Sequence, residues 1–82
     1  HMDTVIHEGS IKPIMNNDII KSDGSTILGA DDKSAIASII EMLQVLKERE
    51  LSFPSLELIF TVGEEIGLKG AKSLDSRKIN QR

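Results

Sequence analysis

The sequence contains Thr61-Val62-Gly63-Glu64-Glu65-Ile66-Gly67, in which an apolar run ends at a glycine and two adjacent carboxylates follow. Residues 56–62 are rich in Leu, Ile, Phe, Thr and Val, which predicts a largely buried strand. In an α/β sheet, ligands bind at the loop that leaves the carboxyl end of a strand. Because Glu64 and Glu65 point in different directions from neighbouring positions, one of them can bind a metal while the other moves a proton.

The clearest predicted helix spans residues 33–49 and comes directly after Asp31 and Asp32. Its apolar residues recur at helical spacing on one face, with polar residues mostly opposite. The acidic pair lies at the helix N-terminus, where the helix dipole favours negative charge and aspartate caps well. The apolar face consists of Ile36, Ile39, Ile40, Leu43 and Leu46.

The remaining predicted elements are short. Residues 1–5 end an apolar–polar alternation and are interpreted as the last residues of a strand. Residues 11–15 and 19–22 flank a turn-favouring Asn-Asn-Asp cluster, which predicts a hairpin. Residues 67–74 predict a short helix, and Asp75 is expected to cap a final turn. Strand, hairpin, helix, strand and helix in this order indicate the α/β class.

Length and composition narrow the possible functions. A chain of 82 residues forms one small domain and buries barely enough surface for stability, so a metal or a partner is expected to support it. The absence of cysteine excludes disulfides and thiolate ligands, and it fits a cytoplasmic location. The net charge is −3 with interspersed signs, so no nucleic-acid partner is expected. Since no apolar run approaches the roughly 20 residues of a membrane span, no membrane partner is expected either.

Three acidic clusters lie where a predicted strand ends or a predicted helix begins: His1-Met2-Asp3, Asp31-Asp32 and Glu64-Glu65. We expect them to converge on one edge of a sheet. Nitrogen and oxygen ligands without sulfur suit Zn²⁺, and also Mn²⁺ or Co²⁺. A carboxylate that can bridge two ions indicates a two-metal site, and an aspartate near a ligating histidine can orient its imidazole.

Each cluster also has a simpler explanation. Asp31 and Asp32 are explained equally well as helix caps, and Gly-Glu-Glu as a solvated surface turn. His1 is compatible with a cloning remnant, because such remnants often begin His-Met. Lys33 is explained by charge balance against the acidic pair.

Four segments of the chain share the order and spacing of motifs in a known enzyme family. They are His1-Met2-Asp3-Thr4-Val5, Ile11-Lys12-Pro13, the run from Ser22 to Lys33, and Phe60-Thr61-Val62-Gly63-Glu64-Glu65-Ile66-Gly67. Together they resemble peptidase T and its relatives, which are dizinc exopeptidases related more distantly to carboxypeptidase G, dipeptidases and aminoacylases. The resemblance covers nearly the whole chain. It implies a partial α/β/α sandwich, a mixed sheet with helices, from a zinc-exopeptidase catalytic domain.

The resemblance implies three metal ligands for two Zn²⁺ ions, with Mn²⁺ or Co²⁺ as other possible ions. His1 would bind one ion, Asp31 would bridge the two, and Glu65 would bind the second.

The resemblance also implies roles for residues that do not bind metal. Glu64 would be the general base, and Asp3 would orient His1. Asp32 would cap the helix behind the bridging residue and hold the loop in shape. The peptide bond between Asp31 and Asp32 would be cis.

The chain departs from the family in length. Family enzymes need a further acidic ligand, a final histidine and a lid domain, and the sequence contains none of these. We therefore expect residues 1–82 to be an internal fragment of a metallopeptidase catalytic domain, truncated at both ends and without a lid or dimerisation domain.

The implied function is hydrolysis of the N-terminal residue of short peptides, such as tripeptides, by a water molecule that two zinc ions activate. A short peptide is thus the expected partner of the intact protein. The fragment itself is expected to be inactive and to self-associate. Two alternatives stay open: a non-catalytic, self-associating module, and a hydrolase of the same family that acts on N-acyl amino acids.

Overall fold

The computed structural model describes residues 1–79. The elements follow one another as β1 (Pro13–Asn16), β2 (Ile19–Ser22), α1 (Ala30–Glu48), α2 (Lys69–Lys72) and a 3₁₀ turn (Ser76–Lys78). A small sheet combined with helices confirms the mixed α/β class.

The two strands form the predicted hairpin. They pair antiparallel, with Pro13 opposite Ser22 and Asn16 opposite Ile19. Asn17 begins the two-residue connection with a φ of 54°, a left-handed conformation that asparagine tolerates better than most residues. Local turn chemistry is therefore sufficient to set this register.

Helix α1 follows the predicted periodicity. Asp31 and Asp32 have non-helical backbone angles, so the regular helix begins at Lys33 and ends at Glu48, one residue before the predicted end. Most of the predicted apolar face is half-buried, whereas Ile40 is 51% exposed. None of the helices within residues 1–79 is long and apolar enough to cross a membrane.

Two predicted strands are wrong in this structure. Neither residues 1–5 nor residues 56–62 form a strand, and one backbone hydrogen bond joins them, from Met2 N–H to Thr61 C=O at 2.9 Å. A strand needs a ladder of such bonds with a neighbouring chain, and residues 1–79 provide no further rung. The predicted burial of residues 56–62 is wrong too, since Phe60 is 43% exposed.

The segment after Glu65 turns back onto the end of the apolar run. The N–H of Lys69 donates to Gly63 C=O and that of Gly70 to Val62 C=O, each at 2.9 Å. A Cβ at position 70 would collide with the Val62 carbonyl oxygen, so glycine permits this close approach. Helix α2 is shorter than predicted.

Asp75 caps the final turn, as the sequence predicted. Its carboxylate accepts from the backbone N–H of Arg77 at 3.1 Å and from the Arg77 side chain at 2.9 and 3.0 Å. These hydrogen bonds, those of the side chain first, hold the pKa of Asp75 below its usual value.

The described residues form a single thin layer. Their extents are 45 × 35 × 13 Å, and 13 Å is close to the diameter of one helix with its side chains. Within residues 1–79 no apolar side chain is fully buried. The three-layer sandwich therefore stays a prediction for a longer protein.

Candidate metal centre

The structure brings together the three segments that carry the predicted metal ligands. One ligand atom each from His1, Asp31 and Glu65 can be chosen so that all three lie within 4.8 Å of one another. His1 comes from the first segment, Asp31 from the irregular start of α1, and Glu65 from the turn before α2. Residues far apart in sequence thus meet at one point.

Each ring nitrogen of the His1 imidazole has an oxygen atom close to it. Its Nδ1 lies 2.9 Å from the backbone oxygen of Asp3 and 3.4 Å from Asp3 Oδ1. Its Nε2 lies 3.2 Å from Asp31 Oδ1. If Nδ1–H donates to Asp3, Nε2 keeps the lone pair that a metal takes. The ring is 11% exposed, so its orientation is well restricted.

The carboxylate of Asp3 also reaches the turn that carries the two glutamates. Asp3 Oδ1 accepts from the N–H of Glu64 and Oδ2 from the N–H of Glu65, each at 3.2 Å. Partial desolvation raises the pKa of Asp3, but these backbone donors outweigh it and hold the pKa below its usual value. Asp3 is therefore an anion that joins the histidine to the glutamate turn.

The two glutamates occupy different positions. Glu64 Oε2 lies 3.8 Å from His1 Nε2, and Glu65 belongs to the ligand cluster. Desolvation raises the pKa of Glu65, and the negative charges of Glu64, Asp31 and Asp3 raise it further. A divalent cation at this point would relieve that repulsion.

The donor set fits zinc. It offers an imidazole nitrogen and carboxylate oxygens, and zinc accepts both. Two ligands on one tetrahedral zinc, with bonds of about 2.0–2.1 Å, stand about 3.3 Å apart. The 3.2 Å between His1 Nε2 and Asp31 Oδ1 matches this separation.

Asp32 does not cap α1 as predicted. Its Oδ2 accepts from the terminal amino group of His1 at 2.7 Å, and no side chain caps the start of the helix at Gly29. The carboxylate of Asp32 therefore faces the first segment and not the helix N–H groups. The peptide bond between Asp31 and Asp32 is cis, as the resemblance implied.

Sequence reasoning also missed a contact that Lys33 makes at the site. The Nζ of Lys33 donates to the backbone oxygen of Met2, which lies between His1 and Asp3. The Asp-Asp-Lys run had indicated charge balance only. Its one clue to a further role was that the lysine immediately follows the acidic pair.

A cavity of about 320 Å³ adjoins the ligand cluster, and Asp31 and Glu65 lie on its wall. Apolar side chains and backbone form most of the rest of the lining. The other lining residues are Thr4, Val5, Ile27, Leu28, Gly29 and Ala30.

Comparison with known proteins gives consistent matches. The chain is 51% identical over 79 residues to the uncharacterized protein YqjE of Bacillus subtilis strain 168, covering 96% of this chain and 21% of that protein. It is 43% identical over 67 residues to peptidase T of Pectobacterium atrosepticum, covering 82% and 16%. It is 42% identical over 62 residues to peptidase T of Escherichia coli K12, covering 76% and 15%.

The chain spans about a fifth or less of the length of these relatives. No solved structure matches it. The profile of the family described as M42 glutamyl aminopeptidase matches residues 2–80, which is nearly the whole chain. The chain therefore belongs to the M42 glutamyl aminopeptidase family.

Proposed function

We propose that this chain supplies part of the metal centre of a zinc-dependent exopeptidase that removes the N-terminal residue of short peptides, such as tripeptides. The observation that carries the proposal is the meeting of His1, Asp31 and Glu65 within 4.8 Å, with Glu64 beside them. Membership of a peptidase family and two relatives named peptidase T support it.

Each predicted ligand has a distinct place in the proposal. His1 and Asp31 would hold one ion, and Asp31 and Glu65 would hold the other. Two zinc ions bound here would polarise the scissile carbonyl and make water a better nucleophile. Three protein ligands shared between two ions leave each short of the three that a catalytic zinc usually has. The proposal therefore requires further ligands from elsewhere in a longer protein.

Glu64 is the proposed general base. Its carboxylate lies 3.8 Å from His1 Nε2 and is not needed as a ligand, so it is free to take a proton from the attacking water. The same group would then deliver that proton to the leaving amine. The N–H of Glu64 is held by Asp3, which limits how far the base can move from the ligands.

The cavity beside Asp31 and Glu65 provides space for part of a substrate. Its wall combines two carboxylates with apolar groups, so an anionic side chain is the least suited to it.

The test uses the full-length protein, purified with zinc, and a panel of four substrates. The panel contains a tripeptide with a free amino terminus, the same tripeptide N-acetylated, an N-acyl amino acid and a tripeptide that begins with glutamate. Mass spectrometry should show loss of the first residue from the free tripeptide and no cleavage of its acetylated form. Cleavage of the N-acyl amino acid alone would reassign the substrate, and a zinc-loaded protein that cleaves nothing would contradict the proposal.

A further inference from the structure

Both backbone polar groups of Met2 are hydrogen-bonded. Its N–H donates to Thr61 C=O at 2.9 Å, and its carbonyl accepts from Lys33 Nζ. Thr61 lies shortly before the glutamate turn, and Lys33 lies directly after the acidic pair. The backbone of Met2 therefore links all three segments of the metal centre, although its side chain contributes no ligand.

We propose that Lys33 is a positioning residue of the metal centre: by holding the Met2 carbonyl it places His1 and Asp3, which flank that carbonyl, against Asp31. The inference rests on the proposed function. Lys33 is the first regular residue of α1, so its backbone position is set by the helix. The hydrogen bond from Lys33 to Met2 therefore restrains the first segment, which has no helix or strand of its own.

The contact matters because ligand placement must be accurate. Catalytic constellations need to be held within about 0.5 Å, and residues outside the coordinating set supply that restraint. Asp3 holds the ring of His1. Lys33 adds a restraint on the backbone at the following residue, Met2.

The competing explanation is charge balance, and it predicts the opposite result. Near a cluster of carboxylates, a lysine repels an incoming divalent cation. If Lys33 only balances charge, its removal should tighten metal binding. If Lys33 positions the ligands, its removal should weaken metal binding even though a repulsive charge has gone.

The experiment measures zinc affinity in the full-length protein by competition with a chromophoric chelator. Lys33→Met removes the charge and the donor while keeping the length of the side chain. Lys33→Arg keeps both. Lys69→Met is the matched control, because Lys69 is exposed, its backbone N–H donates to Gly63 beside the glutamates, and its ammonium group makes no hydrogen bond to the first segment, which the structure describes. Peptide hydrolysis is followed at low and at saturating zinc.

We expect Lys33→Met to weaken zinc binding by about 10–100-fold, the usual cost of removing a group that supports a ligand. Lys33→Arg should restore most of the affinity, and Lys69→Met should bind zinc as tightly as the wild type or more tightly. Saturating zinc should return much of the activity of Lys33→Met. If that variant does not fold, Lys33→Leu makes the same comparison with a shorter side chain that has neither charge nor donor.

Unchanged or tighter zinc binding by Lys33→Met, or by Lys33→Leu in its place, would overturn the inference and leave the proposed function intact. Equal weakening by Lys69→Met would overturn it as well, since the effect would then not depend on the contact with Met2. A wild-type protein that binds no zinc would overturn the proposed function first.

Discussion

The backbone N–H of Glu64 donates to Asp3 Oδ1 at 3.2 Å, although 61 residues separate the two in sequence. The same carboxylate lies against the imidazole of His1. One anion thus sets both the orientation of a proposed ligand and the position of the proposed base.

We predict that Asp3→Asn in the full-length protein lowers both zinc affinity and peptide hydrolysis, by about 10–100-fold. The asparagine amide keeps the shape of the carboxylate but replaces one acceptor oxygen with an NH₂ donor. That NH₂ group faces either the imidazole or the backbone N–H groups of the glutamate turn, and these are donors too, so a hydrogen bond is lost. Chelator competition and steady-state kinetics measure the two effects. Asp18→Asn, in the exposed hairpin turn, is the control. Loss of activity with unchanged zinc affinity would contradict the role of Asp3 in orienting His1 as a ligand.

Glu64→Gln should abolish hydrolysis and leave two zinc ions bound, whereas Glu65→Gln should lose zinc. The reason is that Glu65 belongs to the ligand cluster while Glu64 lies beside it. Loss of a general base costs about 10²–10⁴ in rate. Elemental analysis of the full-length variants gives the zinc content. Loss of zinc in Glu64→Gln would show that the two roles are reversed.

Gly70→Ala should destabilise the full-length protein by about 1–3 kcal/mol, the usual cost of overpacking. The added methyl group would collide with the Val62 carbonyl and push α2 away from the turn it closes. Urea unfolding measures the change, and we expect hydrolysis to fall with it because Glu64 and Glu65 lie in that turn. Ala71→Ser, at the next, exposed position, should change stability by less than about 0.5 kcal/mol. Equal stability of the two variants would contradict the close approach.

The 82-residue chain alone should self-associate and should not cleave peptides. Its apolar residues are exposed in one thin layer, and residues 56–62 form no strand within residues 1–79. Such edges and faces recruit another chain. Sedimentation velocity and an assay with added zinc provide the test. A monodisperse monomer that cleaves tripeptides would refute the prediction.

Local signals carried most of what the sequence predicted correctly. The spacing of Ile36, Ile39 and Leu43 indicated α1, and the Asn-Asn-Asp cluster indicated the hairpin, because both depend on neighbours a few residues away. The strand at residues 56–62 failed for the opposite reason. A strand exists only where a second strand pairs with it, and composition cannot supply the partner.

The site shows the same division. The rule that metal ligands lie at the ends of helices and strands selected Asp31 and Glu65. The structure brings ligand atoms of these two residues within 4.8 Å of each other. The carboxylate of Asp32 went to His1 instead of the helix, and Lys33 reached Met2, because contacts between residues 31 apart depend on how the segments pack. Sequence propensity predicts which helix or strand a residue belongs to, but it does not predict which distant residue that residue contacts.

The spacing of the ligands has a consequence for folding. His1 and Asp31 lie 30 residues apart, and Glu65 lies more than 30 residues farther along the chain. Two ions that share Asp31 and bind His1 and Glu65 would hold the ends of two long loops together, against the entropy of closing them. Zinc that binds the folded chain and not the unfolded one stabilises the fold by mass action. The gain is about 2.7 kcal/mol when the free zinc concentration is one hundred times the dissociation constant. Chelation should accordingly lower the unfolding temperature of the protein as a whole, and α1 should lose its protection from amide hydrogen exchange together with the glutamate turn.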